Sequence, residues 1–600
     1  MKDHDLNSVH QDGCRGGAGA KPAGAQASSS PRRLIALASV LLLAAAGCTS
    51  HAAAPKEGVV DLLQQDWQHV PGVTADGDGL RVTATARTIL DRDSGERQPN
   101  PPLNLAGTHL VTEGDFSLTA AFTDVTADAS WAVYDRPPVI ADEFRIEPAG
   151  LRLTLKGDDL EVVVFDGSPP QDVTDPRPVH DEHVTVSDPE AAVSVRRSGD
   201  ALKIASGGDT VSSVPLGGVF TSGELWLGLS SDDGSFRVST LTATAAKGAS
   251  LTTAGPAVAS AEQSAEGLQA LADRVRPDFK IGAAVALGPL ASDADYAKEL
   301  VGDFGAVTLE NAMKPQALSP QRGVYTFEDA DALLAIAESK GLTVHGHTIA
   351  FSEALPRWMQ ELPTRSGPER RAGAKALLDY LTTVVTHFKG RLASFDVVNE
   401  PFDLDQGTSL QENIWYRVFG PDYPAIVSRA VHDADPDVKQ FINENGADVP
   451  GDRQDALLEL ARDTNALGGH IYGVGLQSHV YNLETDAIST EDLVDTLDLF
   501  EDAGLHVRIS ENDVTDDRGT HVQATQYAAV LATCLRSRTC VSYTTWGVDD
   551  RYDWWIDDDG GLQQGHDYLF DEGHPTPAHE AMRRALRRST SPSSSVPSRH

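Results

Sequence analysis

The stretch Ser366–Glu400, SGPERRAGAKALLDYLTTVVTHFKGRLASFDVVNE, reads as a helix that hands over to a strand. A helical segment runs to Phe388, and the β-branched run after it ends in an amide beside a carboxylate, Asn399-Glu400. Pro401 then stops the strand. The same handover recurs on both sides. Strands are expected at Phe279–Val285, Ala306–Glu310, Thr343–Phe351, Ser394–Glu400, Lys439–Asn445, Gly473–Val480, His506–Asp513 and Val541–Val548, with helical segments between them. Eight β/α units between residues 264 and 587 imply an α/β domain, a closed (β/α)8 barrel of the TIM type.

Upstream the texture differs. Residues 58–248 alternate on a period of two, as in FSLTAAFTDV, LRLTLKGDDLEVVVFDG and ELWLGLSSDDGSFRVSTLTATA, with Gly-Asp turns between the runs. The expectation is an all-β, jelly-roll-like sandwich that could bind carbohydrate. Trp131, Tyr134 and Trp226 are candidates either for a sugar-stacking platform or for core. The small, polar residues 249–263 read as a linker, and residues 588–600 as a disordered tail.

Residues 1–48 carry Arg32-Arg33, the apolar run LIALASVLLLAAAG and then Cys48. The run is too short for a spanning helix and reads as a signal peptide. Its end, Ala45-Ala46-Gly47-Cys48, resembles a bacterial lipobox, so Cys48 is the expected lipidation site and 49–57 a tether. The protein is then expected outside the cell, on the outer face of a bacterial membrane, held there only by lipid. Cys534 and Cys540 are six apart and can close a small disulfide loop in such a compartment. The formal net charge of −39 disfavours nucleic acid and anionic lipid as partners.

A barrel of this kind builds its site at the C-terminal ends of its strands. Those ends carry Glu310-Asn311 with Lys314 just beyond, His347, Asn399-Glu400, Gln477 with His479, Glu511 with Asp513, and Trp546. Polar groups at one end of six strands are costly to bury without a use for them. Two carboxylates on opposite lips of a cleft, with amides, histidines and an indole around them, suit glycoside hydrolysis. No Cys/His cluster with metal-ligand spacing, phosphate loop, nucleophile elbow or dinucleotide fingerprint is present. No cofactor and no metal are expected.

The barrel region resembles the family 10 glycoside hydrolases, the retaining endo-β-1,4-xylanases. The likeness rests on FKIGAAV, VTLENAMKP, GVYTFEDAD, VHGHTIAFSEALPRWM, SFDVVNEPFD, IWYRVFGPDY, FINEN, GVGLQSHV, RISENDV and TTWGVDDRYDWW, in that order. It implies Glu400 as acid/base and Glu511 as nucleophile in a double displacement on a β-linked xylan-type polysaccharide or oligosaccharide; a monomer is expected. Glu310, Asn311, Lys314, His347, Asn399, Gln477, Trp546 and Trp554 would bind sugar by the same match. His479 and Asp513 would orient the nucleophile and keep it ionised.

The chain also departs from the family pattern. HTIAFSEALP stands where HTLVWHSQLP is usual, so Phe351, Ser352 and Ala354 replace tryptophan, histidine and glutamine. Pro315 follows Lys314 in place of a common tryptophan, and Asn512 follows Glu511 in place of an apolar residue. Smaller groups at 351 and 354 would widen the non-reducing side, so action on another β-glycan or β-glycoside is the first alternative. A non-catalytic glycan-binding protein is the second.

Overall fold

The structure, a computed structural model, describes residues 59–589 except 64–71, 85–87, 91–96, 100–103, 106–108, 137–138, 141–144, 147, 168–177, 217–218, 221–222, 232–233, 255–256, 404–406 and 557–561. The signal-like segment, Cys48 and the tether therefore lie outside the described residues, as does the tail beyond Ser589.

Eight strands form the barrel: β1 Lys280–Val285, β2 Ala306–Leu309, β3 Thr343–Ala350, β4 Ser394–Asn399, β5 Lys439–Glu444, β6 Ile471–Leu476, β7 His506–Val514 and β8 Cys540–Thr545. All neighbours are parallel. β1 pairs with both β2 and β8, and the β6–β7 pairing completes the ring. The expected TIM barrel is thus the observed one. The expected sixth strand is cut short, however. β6 stops at Leu476, Ser478 adopts a left-handed backbone (φ 61°), and a separate pair, His479–Val480, then aligns with Asp513–Val514.

Local chemistry sets the helices. Gly367–His387 opens on a capping box in which Glu369 N donates to Ser366 Oγ (3.3 Å) and Ser366 N donates to Glu369 Oε2 (2.8 Å). Leu377, Tyr380, Leu381 and Val384 of that helix are fully buried in the barrel's apolar cluster. Cys534 and Cys540 are disulfide-bonded, tying the end of helix Thr520–Arg536 to the start of β8. No helix among the described residues is long and apolar enough to cross a membrane.

The N-terminal region holds two eight-stranded antiparallel sheets whose inward residues, among them Leu118, Trp131, Leu153 and Leu227, form one apolar cluster. Trp131, Tyr134 and Trp226 are each 1% exposed or less, so they are core and not a stacking platform. Their sheet is covered on both faces there, since Tyr134 and Trp226 join a second cluster with Val163 and Phe165. The stretch read as linker is also ordered in part. Ser250–Ala254 pairs with His109–Glu113, and Val258 and Ala261 are buried in the barrel's apolar cluster. Helix Pro577–Ser589 likewise runs into the first residues read as tail.

Candidate active site

Glu400 follows β4 in a left-handed conformation (φ 46°), directly before Pro401. A proline restricts the residue before it, and a non-glycine residue there costs about 1–3 kcal/mol, which the surroundings must offset. Part of the offset is backbone: Glu400 N donates to Asn443 O at 2.9 Å. The carboxylate itself accepts at Oε1 from Gln477 Nε2 (2.8 Å) and Asn399 Nδ2 (3.1 Å).

Glu511 rises from β7 and is 4% exposed. Its Oε1 accepts from Asn443 Nδ2 at 2.5 Å, and the same nitrogen donates to Asn399 Oδ1 at 2.8 Å. Two amides therefore join the carboxylates of different strands into one network. Asn443 is itself fixed by Ser510 Oγ, which donates to its Oδ1 at 2.7 Å. Gly475 of β6 leaves the space for it, because a Cβ there would stand 2.1 Å from Asn443 Oδ1.

On its other side Glu511 Oε2 meets His479 Nε2 at 3.3 Å, and His479 Nδ1 meets Asp513 Oδ1 at 2.8 Å. Burial pushes the His479 imidazole down, but the Asp513 charge and the carboxylate hydrogen bonds outweigh it and hold its pKa well above 6.5. The imidazolium in turn acts on Glu511. Burial raises the Glu511 carboxyl, yet the His479 hydrogen bond and the charges of His347 and His479 hold it below the ordinary carboxylate value. Tyr481, 63% exposed, stacks on the His479 ring with centroids 5.3 Å apart.

His347 Nδ1 lies 4.0 Å from Glu511 Oε1. It is held by Asp396 Oδ2 at 3.0 Å, and His345 Nε2 reaches the same oxygen at 2.8 Å. Burial raises the Asp396 carboxyl, but the two imidazoles and Arg508, 3.7 Å from Oδ1, hold it well below its usual range. Burial, with Arg508 alongside, pushes His345 down to about 4, so that ring is neutral at neutral pH. The Trp546 indole lies roughly perpendicular to the rings of both His347 (5.3 Å) and His479 (6.2 Å), which places it beside both histidines.

Through Asn443, the structure joins Asn399, Glu400, Gln477, His479, Glu511 and Asp513 into one hydrogen-bonded set. Gln477, expected to bind sugar, spends an amide hydrogen on Glu400. Glu310, Asn311 and Lys314 sit half-buried beyond the end of β2, with Asn311 Nδ2 donating to Glu310 Oε1 at 3.1 Å. Trp554 begins a short strand, Trp554–Ile556, whose side chains lie outside the described residues.

The departures have local explanations. Pro315 opens the helix Pro315–Leu318, a position where its missing N–H is harmless. Asn512 is fully buried, donating to Ser478 O at 2.6 Å and accepting from the Tyr543 hydroxyl, so a polar residue is satisfied there. Phe351 is 6% exposed and offers a ligand little side chain. The Ser352 hydroxyl is shielded and has no hydrogen-bond partner among the described residues.

Asn443 is the functional side chain that the reading of strand ends left out. The signal was available: β5 ends in Asn443-Glu444, an amide–carboxylate pair like that of β4. Asp396, inside β4, is the residue that positions His347.

The family model for glycosyl hydrolase family 10 matches residues 270–585. Endo-1,4-beta-xylanase C of Phanerodontia chrysosporium is 32% identical over 257 residues, 42% of this chain and 62% of that protein, so less than two thirds of the relative is spanned. Endo-1,4-beta-xylanase 2 of Claviceps purpurea is 31% identical over 253 residues, 42% of this chain and 73% of that one. Among solved structures, xylanase 10B from Thermotoga petrophila RKU-1 in complex with xylobiose shares 28% identity and a TM-score of 0.50, covering 54% of this chain and 98% of that one.

Proposed function

The chain belongs to glycosyl hydrolase family 10, and from that premise we propose that it hydrolyses a β-1,4-linked xylan-type polysaccharide with retention of configuration. Glu511, kept ionised by His479, attacks the anomeric carbon while Glu400 gives its proton to the departing glycosidic oxygen. The glycosyl ester so formed is cleaved by water. Glu400, now a carboxylate, takes the water's proton as the oxygen attacks, and Glu511 leaves as carboxylate. Asn399 holds the sugar 2-hydroxyl, and His347, Lys314, Glu310, Asn311 and Gln477 line the neighbouring subsites, with Trp546 and Trp554 against the sugar faces.

The observation that carries this reading is the pair of carboxylates from two strands joined by the Asn399–Asn443 amides, with only Glu511 pinned by an imidazolium. We place the protein outside the cell, with lipid on Cys48, in keeping with the bonded Cys534 and Cys540. The test is proton NMR of the first product released from an aryl β-xylobioside. The β-anomer is expected first. Initial appearance of the α-anomer, or full activity in Glu511→Ala, would overturn the assignment.

A further inference from the structure

We infer that the opposite, N-terminal mouth of the barrel is a binding site for a small oxyanion of the phosphate class, free or as a monoester. A cavity of about 580 Å³ lies there, away from Glu400 and Glu511. It is built from the beginnings of strands: Lys280 starts β1, Lys439 starts β5, and Arg508 is the third residue of β7. Arg276, in the turn before β1, completes the set.

Its charge runs against that of the chain. Arg276, Lys280, Lys439 and Arg508 line the cavity against a single carboxylate, Asp278, in a protein of net charge −39. Among the described residues, Arg276, Lys280 and Lys439 have no carboxylate within ion-pair distance, although acids outnumber bases by 88 to 49. Three cations with no salt-bridged carboxylate among the described residues, and with Asp278 as the one acid beside them, concentrate positive potential in one concave mouth.

The basic groups are fixed in place. Lys439 Nζ sits 4.9 Å above the Tyr472 ring. Arg276 spends two hydrogens on the carbonyls of Ser537 and Arg538, and Arg508 bonds Ser542 Oγ at 3.0 Å and Thr544 Oγ1 at 3.4 Å. Arg508 also turns Nη1 to His345 Nε2 and Asp396, whereas the Arg276 guanidinium keeps further donors for a ligand. A second, independent mark is Thr308. It lines the same cavity, is 2% exposed, and its hydroxyl has no hydrogen-bond partner among the described residues. A buried hydroxyl without a partner is costly, and an oxyanion oxygen would satisfy it. Several cations with a hydroxyl suit a tetrahedral dianion, which accepts from many directions at once.

The full chain is titrated with sodium phosphate by calorimetry and by thermal denaturation, at ionic strength held constant with sodium chloride. A saturable heat, and a Tm rise with phosphate that chloride does not give, are expected. Lys280→Ala/Lys439→Ala should weaken phosphate by about tenfold or more. Lys439→Ala alone, at an exposed position, should weaken it in the same direction if the double variant does not fold. Glycerol phosphate in a parallel arm separates the sources: binding of both ligands identifies an ester site, and binding of phosphate alone a free-anion site. Equal stabilisation by phosphate and chloride would overturn the inference, as would phosphate binding undiminished in both variants.

Discussion

Asn443 Nδ2 donates at once to Asn399 Oδ1 (2.8 Å) and to Glu511 Oε1 (2.5 Å), so one buried amide sets the spacing between β4 and β7 at the proposed reaction centre. Asn443→Ala removes both bonds and leaves Ser510 Oγ without its acceptor. A misplacement near 1 Å costs about 10²-fold in rate, and kcat should fall by that order with a smaller change in KM. Steady-state kinetics on an aryl β-xylobioside measure the split. A rise in KM at unchanged kcat would place Asn443 in substrate binding alone.

The His479–Glu511 contact fixes the direction of the pH dependence. Glu511 has a folded-state pKa below the ordinary 4.5, so it stays ionised on acidification and the acid limb of kcat/KM should lie below that value. His479→Asn removes the imidazolium, and the limb should move up by about one unit. Stability follows opposite senses for the two groups. The Glu511 contribution is present above 4.5 and is lost as pH falls through its lower folded value. The His479 contribution is full below 6.5 and is lost as pH rises through its higher folded value. A pH–rate profile unmoved by His479→Asn would show that Glu511 is held ionised by other groups.

Much of this site was legible because barrel strands are apolar runs with polar ends, so Glu400 and Glu511 stand out against their own strands. Asn443 stood out equally, but its value lies in partners from β4 and β7, and a linear sequence does not display pairings across a barrel. The break in β6 was hidden for a related reason. Ser478 is neither glycine nor asparagine, so nothing in its identity announces a left-handed backbone. The aromatic residues of the N-terminal sheets were ambiguous on physical grounds too. All six residues of Ala129–Tyr134 are buried, and a period of two separates faces without saying whether both are covered.

Asp396 is the anchor beneath the site, 1% exposed and shared by His345, His347 and Arg508. Asp396→Asn keeps the shape but leaves the Arg508 guanidinium buried without its carboxylate, at a cost of about 3 kcal/mol. Urea unfolding at neutral pH should show that loss. The deficit should narrow on acidification, because the Asp396 contribution exists above 3.8 and is lost as pH falls through its lower folded value. A deficit independent of pH would mean that the altered hydrogen bonding to His345 and His347, and not the charge, is responsible.

Gly475→Ala tests the same amide from a distance. The new Cβ would lie 2.1 Å from Asn443 Oδ1 and 3.2 Å from Ser510 Oγ, so the Asn443 side chain has to turn away. Gly475 belongs to β6 and makes none of the hydrogen bonds of the site, yet kcat should drop by about 10²-fold, as for any displacement of a positioning group. Combining Gly475→Ala with Asn443→Ala distinguishes the route. If the glycine acts by giving Asn443 room, the second substitution finds nothing left to displace, and the double variant should lose little more than Asn443→Ala alone. Fully additive losses would instead assign the effect of Gly475 to a general distortion of β6 and detach it from the amide that joins Asn399 to Glu511.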